Sequence, residues 1–468
     1  MIYIDMKYSY KKKKKILLRQ KSLKTGKKNE RVNGELLYKK EGWITLHIYG
    51  NPYQRGFAHG FLLNKEMEET MKVFKYLVKN DFKISFEKYL DICNEKIKPV
   101  IMNKFPEFYE EIHGMVDGFK SKGLRITIEQ IIGWNSVLSM YDYFVGDVES
   151  TKEPRIKRLN RCSAFIATGN ATQKGDIVMA HNTHSEFITG NLLNIVLYVT
   201  PDTGFPFVMQ TSPGLIASSS DWFICSTGMI GCETTISSIS YKSEFGSPYF
   251  CRIRQAIQYG ESIDDYINIM LKDNAGDYAC SWQFGNIKTN EIALFELGLK
   301  EHSIKRTFNG VYYGMNSAID PTIYIKETND NDKFDVHTTS GSRNFRLNYL
   351  LNKKYYGKIN VENAKKILSD HYDISVHKEI MNSRTICKHT ELHDEVTNRK
   401  PFFPYGCTDG KVVNSTMATN LKFLGRFGSS CGRIFKASEF LKKHPEYNNL
   451  KGILKDFPKY DWVNISYD

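Results

Sequence analysis

Residues 160–186 constrain this chain most, because their pattern is that of a β-hairpin with a cysteine at its open end. Residues 163–168 and 177–180 are short apolar runs, and the turn-forming residues 169–175 separate them. Cys162 precedes the first run. A polar cluster follows the second run, made up of His181, Asn182, Thr183 and His184. If the hairpin closes in the simplest register, the thiol lies beside hydrogen-bonding groups, which is one requirement for nucleophilic catalysis.

The net charge of +13 belongs almost entirely to the start of the chain. Residues 1–31 carry twelve Lys or Arg and two acidic residues, which leaves +3 for the rest of the chain. The folded body therefore gives no strong nucleic-acid signal. The tail itself is interpreted as a disordered extension, a nuclear-localisation patch, or an arm that contacts nucleic acid or anionic membrane.

Apolar residues are too dispersed for a membrane span, which needs a run of ~20, or for the core of a signal peptide. This favours the cytoplasm over secretion. Nine cysteines are scattered along the chain without any C-x-x-C pair. That spacing argues against a zinc site and against a disulfide scaffold, so no metal is predicted and most thiols are expected to be reduced and buried.

The composition along the chain divides it into four parts. Residues 1–34 are the basic tail, 35–144 are mainly helical in pattern, and 145–161 are a charged linker without periodicity. Residues 162–468 contain many strand-like runs and a few helical ones, although 377–420 are predicted to be irregular. This order predicts an α+β fold with two packed sheets covered by helices.

A close helix contact is predicted in the N-terminal part. Gly56 and Gly60 lie four residues apart in a helical pattern, so they occupy one face of that helix. Without side chains there, the helix is able to approach another backbone closely.

Three further features bear on whether Cys162 is a nucleophile. Asn316 follows a strand-like run and could supply an amide N–H to an oxyanion hole, or simply close a turn. Arg343 and Arg346 begin a predicted helix, so one could point inward, or both could be surface residues. Cleavage at Arg161–Cys162, where the linker ends, would give the cysteine an α-amine with a pKa of about 8. That amine would suit a general base, and no catalytic histidine would be needed.

An ordered set of motifs resembles known families. Residues 50–60, 111–118 and 161–165 look like the N-terminal nucleophile (Ntn) hydrolases of the penicillin acyltransferase type. Residues 181–183, 226–236 and 404–411 resemble the phospholipase B-like branch, and 342–347 resemble the arginine segment of choloylglycine hydrolases. The resemblance implies an αββα sandwich with a helical N-terminal pro-region and self-cleavage before Cys162. It also implies hydrolysis or transfer of an acyl group from an amide or ester through a Cys162 thioester.

The same resemblance assigns roles to individual residues. Cys162 matches the nucleophile, Asn316 the oxyanion-hole asparagine, and Arg346, in preference to Arg343, the active-site arginine. Acyltransferase and bile-salt relatives carry an aspartate two residues after the asparagine that matches Asn182, whereas this chain has His184. The role of that aspartate must pass to His184 or Glu233, or be absent. The neighbouring motif positions His181 and Thr234 are secondary candidates.

The resemblance implies no metal or organic cofactor and a small acyl amide or lipid as substrate. The phospholipase B-like relatives are lysosomal, in contrast to the cytoplasmic expectation above. Two alternatives remain open, a phospholipase B-like lipid hydrolase and a catalytically inactive relative that binds lipid or protein. A core shared across the cleavage site predicts that the two fragments stay associated.

Overall fold

The computed structural model describes residues 32–145, 161–218, 222–395 and 400–468. The basic tail up to residue 31 and linker residues 146–160 lie outside the described residues. Along the described ranges, no helix is long and apolar enough to cross a membrane.

Fifteen α-helices and seventeen strands make up the described part of the chain. The helices are α1 Pro52–Leu62, α2 Asn64–Asn80, α3 Phe86–Lys96, α4 Lys98–Lys104, α5 Pro106–Ser121, α6 Ile128–Asn135, α7 Val137–Val145, α8 Phe187–Gly190, α9 Tyr249–Tyr259, α10 Ile263–Leu271, α11 Pro321–Glu327, α12 Thr339–Tyr349, α13 Val361–Leu368, α14 Ser415–Ala418 and α15 Ala437–Lys443. The strands are β1 Gly34–Lys40, β2 Trp43–Gly50, β3 Cys162–Gly169, β4 Gly175–Glu186, β5 Ile195–Pro201, β6 Phe207–Thr211, β7 Phe223–Cys225, β8 Met229–Thr235, β9 Cys280–Asn286, β10 Glu291–Leu297, β11 His302–Thr307, β12 Gly310–Gly314, β13 Tyr372–Asp373, β14 Lys378–Glu379, β15 Tyr405–Asn414, β16 Phe423–Phe427 and β17 Val463–Ile465.

The strands form two large sheets and one small ribbon. The nine-stranded sheet has the order β1-β2-β5-β6-β7-β8-β9-β10-β11, and the six-stranded sheet has the order β12-β3-β4-β15-β16-β17. Neighbouring strands of both sheets run antiparallel except β2 and β5, which pair in parallel. Because β1 and β2 come from the segment 35–144, that segment is not wholly helical. It supplies one edge of the larger sheet.

The alternation of side chains along β3 shows how the layers stack. Ala164 and Ile166 belong to the core between the two sheets. Phe165 and Ala167 belong to a second core that also contains residues of α12 and α13. The six-stranded sheet is therefore covered on one face by the larger sheet and on the other by helices.

The nine-stranded sheet alternates in the same way. A Cβ on Gly285 would lie 2.9 Å from the side chain of Ile166, so this residue faces the smaller sheet. The adjacent Phe284 faces the other way, where its ring packs edge-on against Tyr266 of α10 at 5.2 Å. The order of layers is helix, sheet, sheet, helix.

The predicted close contact at Gly56 and Gly60 is confirmed, and α5 is the partner helix. A Cβ on Gly56 would lie 1.9 Å from the carbonyl oxygen of Glu111, and one on Gly60 would lie 2.1 Å from that of Met115. Gly114 of α5 approaches the backbone of α1 equally closely. The glycines of both motifs thus serve packing.

Two sequence-based expectations about strands were wrong. Residues 377–420 are not irregular throughout, because β15 runs through the interior of the six-stranded sheet. Its apolar alternation is hidden by buried charges, since Lys411 pairs with Asp409 at 2.6 Å. The polar cluster 181–184 lies within β4 and not beyond its end, because this strand continues to Glu186.

Candidate active site

Cys162 is the first residue of β3 and is 4% exposed. In the β3–β4 hairpin it lies opposite Thr183, and Ser163 lies opposite Asn182. The predicted hairpin and its register are therefore confirmed. On the other side of β3, β12 pairs antiparallel so that Gly314 lies opposite Ala164. The chain leaving β12 consequently emerges beside Cys162.

Asn316 occupies that position and contacts the backbone of Cys162. Its Oδ1 accepts a hydrogen bond from the Cys162 N–H at 3.2 Å, and its Nδ2 donates to the carbonyl of Thr235 at 3.0 Å. The residue has φ of 78°, a left-handed conformation that asparagine tolerates better than most residues. The predicted proximity to Cys162 is confirmed, although the observed contact is made by the amide oxygen.

Arg343, in the first turns of α12, contacts the same two residues. Its Nη1 donates to the carbonyl oxygen of Cys162 at 2.6 Å and to Ser163 Oγ at 3.0 Å, and its Nη2 donates to Asn316 Oδ1 at 2.9 Å. The side chain is fully buried. It therefore places a guanidinium charge directly behind the cysteine.

Arg346 does not join this group. Its guanidinium pairs with Asp370, with Nη2 2.6 Å from Oδ2, and lies over the ring of Tyr372. Arg346 was expected, in preference to Arg343, to be the arginine beside the thiol, and the contacts reverse that preference. Arg343 reaches β3 at Cys162 and Ser163, whereas Arg346, one helical turn further along the same face, reaches Asp370.

The Arg161–Cys162 peptide is held on both sides. The backbone N–H of His184 donates to the carbonyl oxygen of Arg161, while the peptide nitrogen of Cys162 donates to Asn316. The side chain of Arg161 extends over the ring of Tyr141 of α7. This peptide bond is thus fixed between strand β4 and Asn316, two residues beyond the end of β12.

His184 and Asn182 both connect β4 to the segment around residue 386. His184 Nε2 lies 3.1 Å from the carbonyl oxygen of Ile386, and Asn182 Nδ2 donates to the same oxygen at 3.1 Å. Because a carbonyl only accepts, Nε2 carries the hydrogen, and the buried Nδ1 has no hydrogen-bond partner. Burial, assisted by the charges of Arg343 and Lys388, holds the pKa of His184 well below its usual value. The ring is therefore neutral near pH 7.

The remaining candidates lie on the side of the larger sheet. His181 Nε2 lies 3.0 Å from the carbonyl oxygen of Glu233, which ties β4 to β8. Glu233 Oε1 accepts a hydrogen bond from the Tyr278 hydroxyl at 2.9 Å, and this carboxylate lines the same cavity as Cys162. Thr234 packs against the backbone of β12 at Gly314. Of these three, Glu233 is the one whose side chain reaches the cavity.

The cavity beside Cys162 is walled mainly by apolar and aromatic groups. Arg161, His184, Glu233 and Tyr405 supply polar atoms to its wall. Apolar side chains come from both sides of the linker, among them Leu77, Trp134, Leu138, Leu193, Leu215 and Phe250. The N-terminal helices α2, α6 and α7 therefore complete the wall of the cavity.

Lys388 was missed by the sequence analysis. Its side chain is buried close to Arg343 and Cys162, and burial holds the pKa of its amine well below the usual range, with Arg343 acting in the same direction. It lies in a stretch without helical or strand periodicity, so nothing local distinguished it from a surface lysine. Its Nζ lies 5.6 Å from the centre of the ring of Tyr405, which belongs to the cavity wall.

Potential metal ligands come together at a second place, also missed by the sequence analysis. The cluster consists of His371, Cys387, His389 and Cys431, whose ligand atoms lie within 4.8 Å of one another. The absence of C-x-x-C gave no hint of it, because the four residues are separated by up to 60 positions. Cys387-x-His389 was the one local signal.

Comparisons with known proteins give weak similarities. No family model matches the chain. It is 24% identical over 252 residues to an uncharacterised protein of Archaeoglobus fulgidus, covering 50% of this chain and 40% of that protein. It is 22% identical over 291 residues to the protein dcd1A of Dictyostelium discoideum, covering 56% of this chain and 60% of that protein. The chain thus spans between two and three fifths of the length of these curated relatives.

Among solved structures, similarity is found to conjugated bile acid hydrolase from Clostridium perfringens. One mutant of that enzyme aligns with a TM-score of 0.34 and 9% identity, covering 57% of this chain and 89% of the enzyme. A second variant of the enzyme aligns with a TM-score of 0.29 and 9% identity, covering 57% of this chain and 81% of that variant.

Proposed function

We propose that this chain is a self-processing cysteine hydrolase of the Ntn type, which cleaves its own Arg161–Cys162 bond and then an acyl amide. The observation that carries the proposal is the way this one peptide is held. Its carbonyl oxygen accepts a hydrogen bond from the N–H of His184, and its nitrogen donates one to Asn316. Arg343 donates to the next carbonyl oxygen along the chain, that of Cys162. The contacts of Asn316 and Arg343 are made by side chains and are additional to the pairing of β3 with its neighbouring strands.

The self-cleavage step uses groups that are already in contact. The Cys162 sulfur attacks the Arg161 carbonyl carbon, the carbon–nitrogen bond breaks, and the thiol proton passes to the departing nitrogen. This shift frees the α-amine of Cys162, and water then hydrolyses the thioester, which releases the carboxylate of Arg161 and restores the Cys162 thiol. The N–H of His184 stabilises the negative charge that develops on the Arg161 oxygen.

In the mature form, the α-amine of Cys162 is the general base for its own thiol. Asn316 Oδ1, which accepts from the peptide nitrogen before cleavage, accepts from the amine afterwards and keeps it in position. The nearby Arg343 favours the thiolate and disfavours a protonated amine. Both effects suit a nucleophile that works near neutral pH.

The oxyanion donor in this proposal is the backbone N–H of His184. Departure of residue 161 vacates this donor, so the carbonyl oxygen of a substrate is able to replace that of Arg161. Asn316 was expected to fill this role from the sequence. Its observed contacts instead support a positioning role, because Oδ1 faces the cysteine nitrogen and Nδ2 donates to Thr235.

The lining of the cavity supports a substrate with an apolar acyl group. Since α2, α6 and α7 form part of the wall, the N-terminal fragment must remain bound for the site to be complete. Two contacts across the cleavage point favour this: the parallel pairing of β2 with β5, and the buried ion pair of Glu111 with Arg254 at 3.0 Å. We therefore expect the two fragments to function as one unit.

Intact-mass measurement of the purified chain tests the proposal. The wild type is expected to give two fragments, the second beginning at Cys162, while Cys162→Ala remains whole and the control Cys93→Ala is processed like the wild type. Cys93 is buried in α3 and takes no part in the site. A wild type that stays whole under all conditions would contradict the proposal.

The processed protein is then assayed on N-acyl amides and on phospholipid esters of matched chain length. Turnover of the amides supports the proposal. Turnover of phospholipids alone would favour the phospholipase B-like alternative, and binding without turnover would favour an inactive relative.

A further inference from the structure

Four histidine and cysteine side chains converge outside the cavity. His371 immediately precedes β13, Cys387 and His389 belong to the irregular segment before β15, and Cys431 follows β16. Their ligand atoms lie within 4.8 Å of one another. Two thiols and two imidazoles at such distances form a donor set that soft divalent metals prefer.

We propose that His371, Cys387, His389 and Cys431 bind one zinc ion in a closed, tetrahedral, structural site. The Sγ atoms of Cys387 and Cys431 each lie 3.5 Å from Nε2 of His389. Two ligands of a tetrahedral zinc ion, one sulfur and one nitrogen, are separated by about 3.6 Å, given typical bond lengths of about 2.3 and 2.0–2.1 Å. These two contacts thus already have the spacing of zinc ligands.

The surroundings of His389 orient it for this role. Its Nδ1 lies 2.9 Å from Oε1 of Glu391, and both side chains are buried. A carboxylate on one ring nitrogen fixes the tautomer, so that the lone pair of the other nitrogen points at the metal. Here the other nitrogen, Nε2, faces the two sulfurs.

A second, independent observation concerns His371. Its Nε2 is buried and makes no hydrogen bond. A buried ring nitrogen without a partner is costly, whereas coordination to a metal satisfies it. With four protein ligands and no open position, the site would be structural and not catalytic.

The site would stabilise the segment that supports the catalytic strand. Cys387 and His389 follow Ile386 by one and three positions. The carbonyl oxygen of Ile386 accepts hydrogen bonds from the side chains of Asn182 and His184. The zinc ion would connect this segment to His371, which precedes the ribbon of β13 and β14, and to Cys431, which follows β16 of the six-stranded sheet. Loss of the metal is therefore expected to loosen β4 at His184.

Metal analysis of the full chain tests the assignment independently of its enzymatic activity. We expect about one zinc ion per chain in the wild type, and a loss of at least tenfold in a Cys387→Ser/Cys431→Ser double variant. Cys407→Ser is the matched control, since this buried thiol contacts Ser430 at 3.5 Å and is not one of the four ligands. Full zinc content in the double variant, or loss of zinc in Cys407→Ser, would overturn the assignment.

A measurement on the wild type alone covers the case in which the variants fail to fold. Replacement of zinc by Co²⁺ is expected to give the intense visible bands of tetrahedral cobalt and a thiolate-to-cobalt charge-transfer band. A wild type that binds neither zinc nor cobalt stoichiometrically would refute the site. So would a thiol count showing Cys387 joined to Cys407 or Cys431 in a disulfide.

Discussion

The guanidinium of Arg343 bridges the backbone of Cys162 and the side-chain oxygen of Asn316, at 2.6 and 2.9 Å. Asn316 Oδ1 in turn accepts from the Cys162 N–H. One buried cation thus fixes both the cysteine and the group that holds its nitrogen. Because these contacts reach the backbone, the cysteine is positioned whether or not its α-amine has been released.

Substitution of Arg343 is expected to slow self-cleavage. Lysine in Arg343→Lys keeps the charge but is unable to bridge two acceptors in the fixed geometry of a guanidinium, so Asn316 and Cys162 lose their common partner. We expect the processing rate to fall roughly 10²-fold, the size of effect seen when one preorganised donor is removed. The rate is measured from the appearance of the two fragments by mass spectrometry after translation in vitro.

The matched control is Arg346→Lys, three residues along the same helix. Its guanidinium pairs with Asp370 and not with the site, so its rate is expected to stay within a few-fold of the wild type. Equal slowing by both substitutions would mean that the effect reports the stability of α12 and not the contacts of Arg343.

His184 is expected to stay neutral throughout the working range of the protein. Burial, with Arg343 and Lys388, holds its pKa well below the usual value near 6.5, and its Nε2–H donates to Ile386. In a ¹⁵N-histidine NMR titration, its resonance should show the Nε2-protonated tautomer and no transition near pH 6.5. The His184→Gln variant assigns the resonance. A transition near pH 6.5 would show that the ring is accessible to protons and would undermine the neutral assignment.

Acid is expected to weaken the contact between the two fragments. Burial alone would raise the pKa of Glu111, but the charges and hydrogen bonds of Arg254 and Arg55 overcome it and hold this pKa at about 2. A carboxyl group whose pKa is lower in the folded state than in the unfolded state stabilises the fold at pH values above the unfolded pKa, here 4.5. This contribution is lost as the pH falls from 4.5 toward 2. The wild type should therefore lose stability through this window.

Glu111→Gln tests this directly, because it removes the carboxylate that pairs with the buried guanidiniums of Arg254 and Arg55, of which Arg55 retains Glu107 at 2.8 Å. We expect a loss of roughly 3–5 kcal/mol in the free energy of unfolding at pH 7, and a difference from the wild type that shrinks as the pH falls below 4.5. Denaturant titrations at several pH values measure it, with the exposed Glu110→Gln as control. A difference that is independent of pH would contradict the assignment to the Glu111 charge.

The sequence contained enough to predict the hairpin around Cys162 and the packing of α1. Both depend on neighbours in the chain: the apolar runs 163–168 and 177–180 with turn formers between them, and glycines spaced by one helical turn at 56 and 60. The start of α10 at Ile263 is equally local, because Ser262 and Asp265 form a capping box there. The strand β15 was missed, since its buried Asp409 and Lys411 look like surface residues until their partners are known, which are each other, Thr183 of β4 and Gln210 of β6.

The arginine beside the thiol shows where local reasoning ends. Arg343 and Arg346 lie one turn apart on the same helical face. The sequence therefore determined that α12 carries a candidate arginine and that this arginine lies at position 343 or 346. Only the packing of α12 on β3 decided which of the two reaches Cys162. In the same way, the sequence supplied a Cys-x-His pair at 387 and 389, while the fold alone brought His371 and Cys431 to it. A side chain's chemistry and its place in a helix or strand follow from its neighbours in sequence. Its partners across 20 or 180 residues follow from the burial of apolar surface by the whole chain.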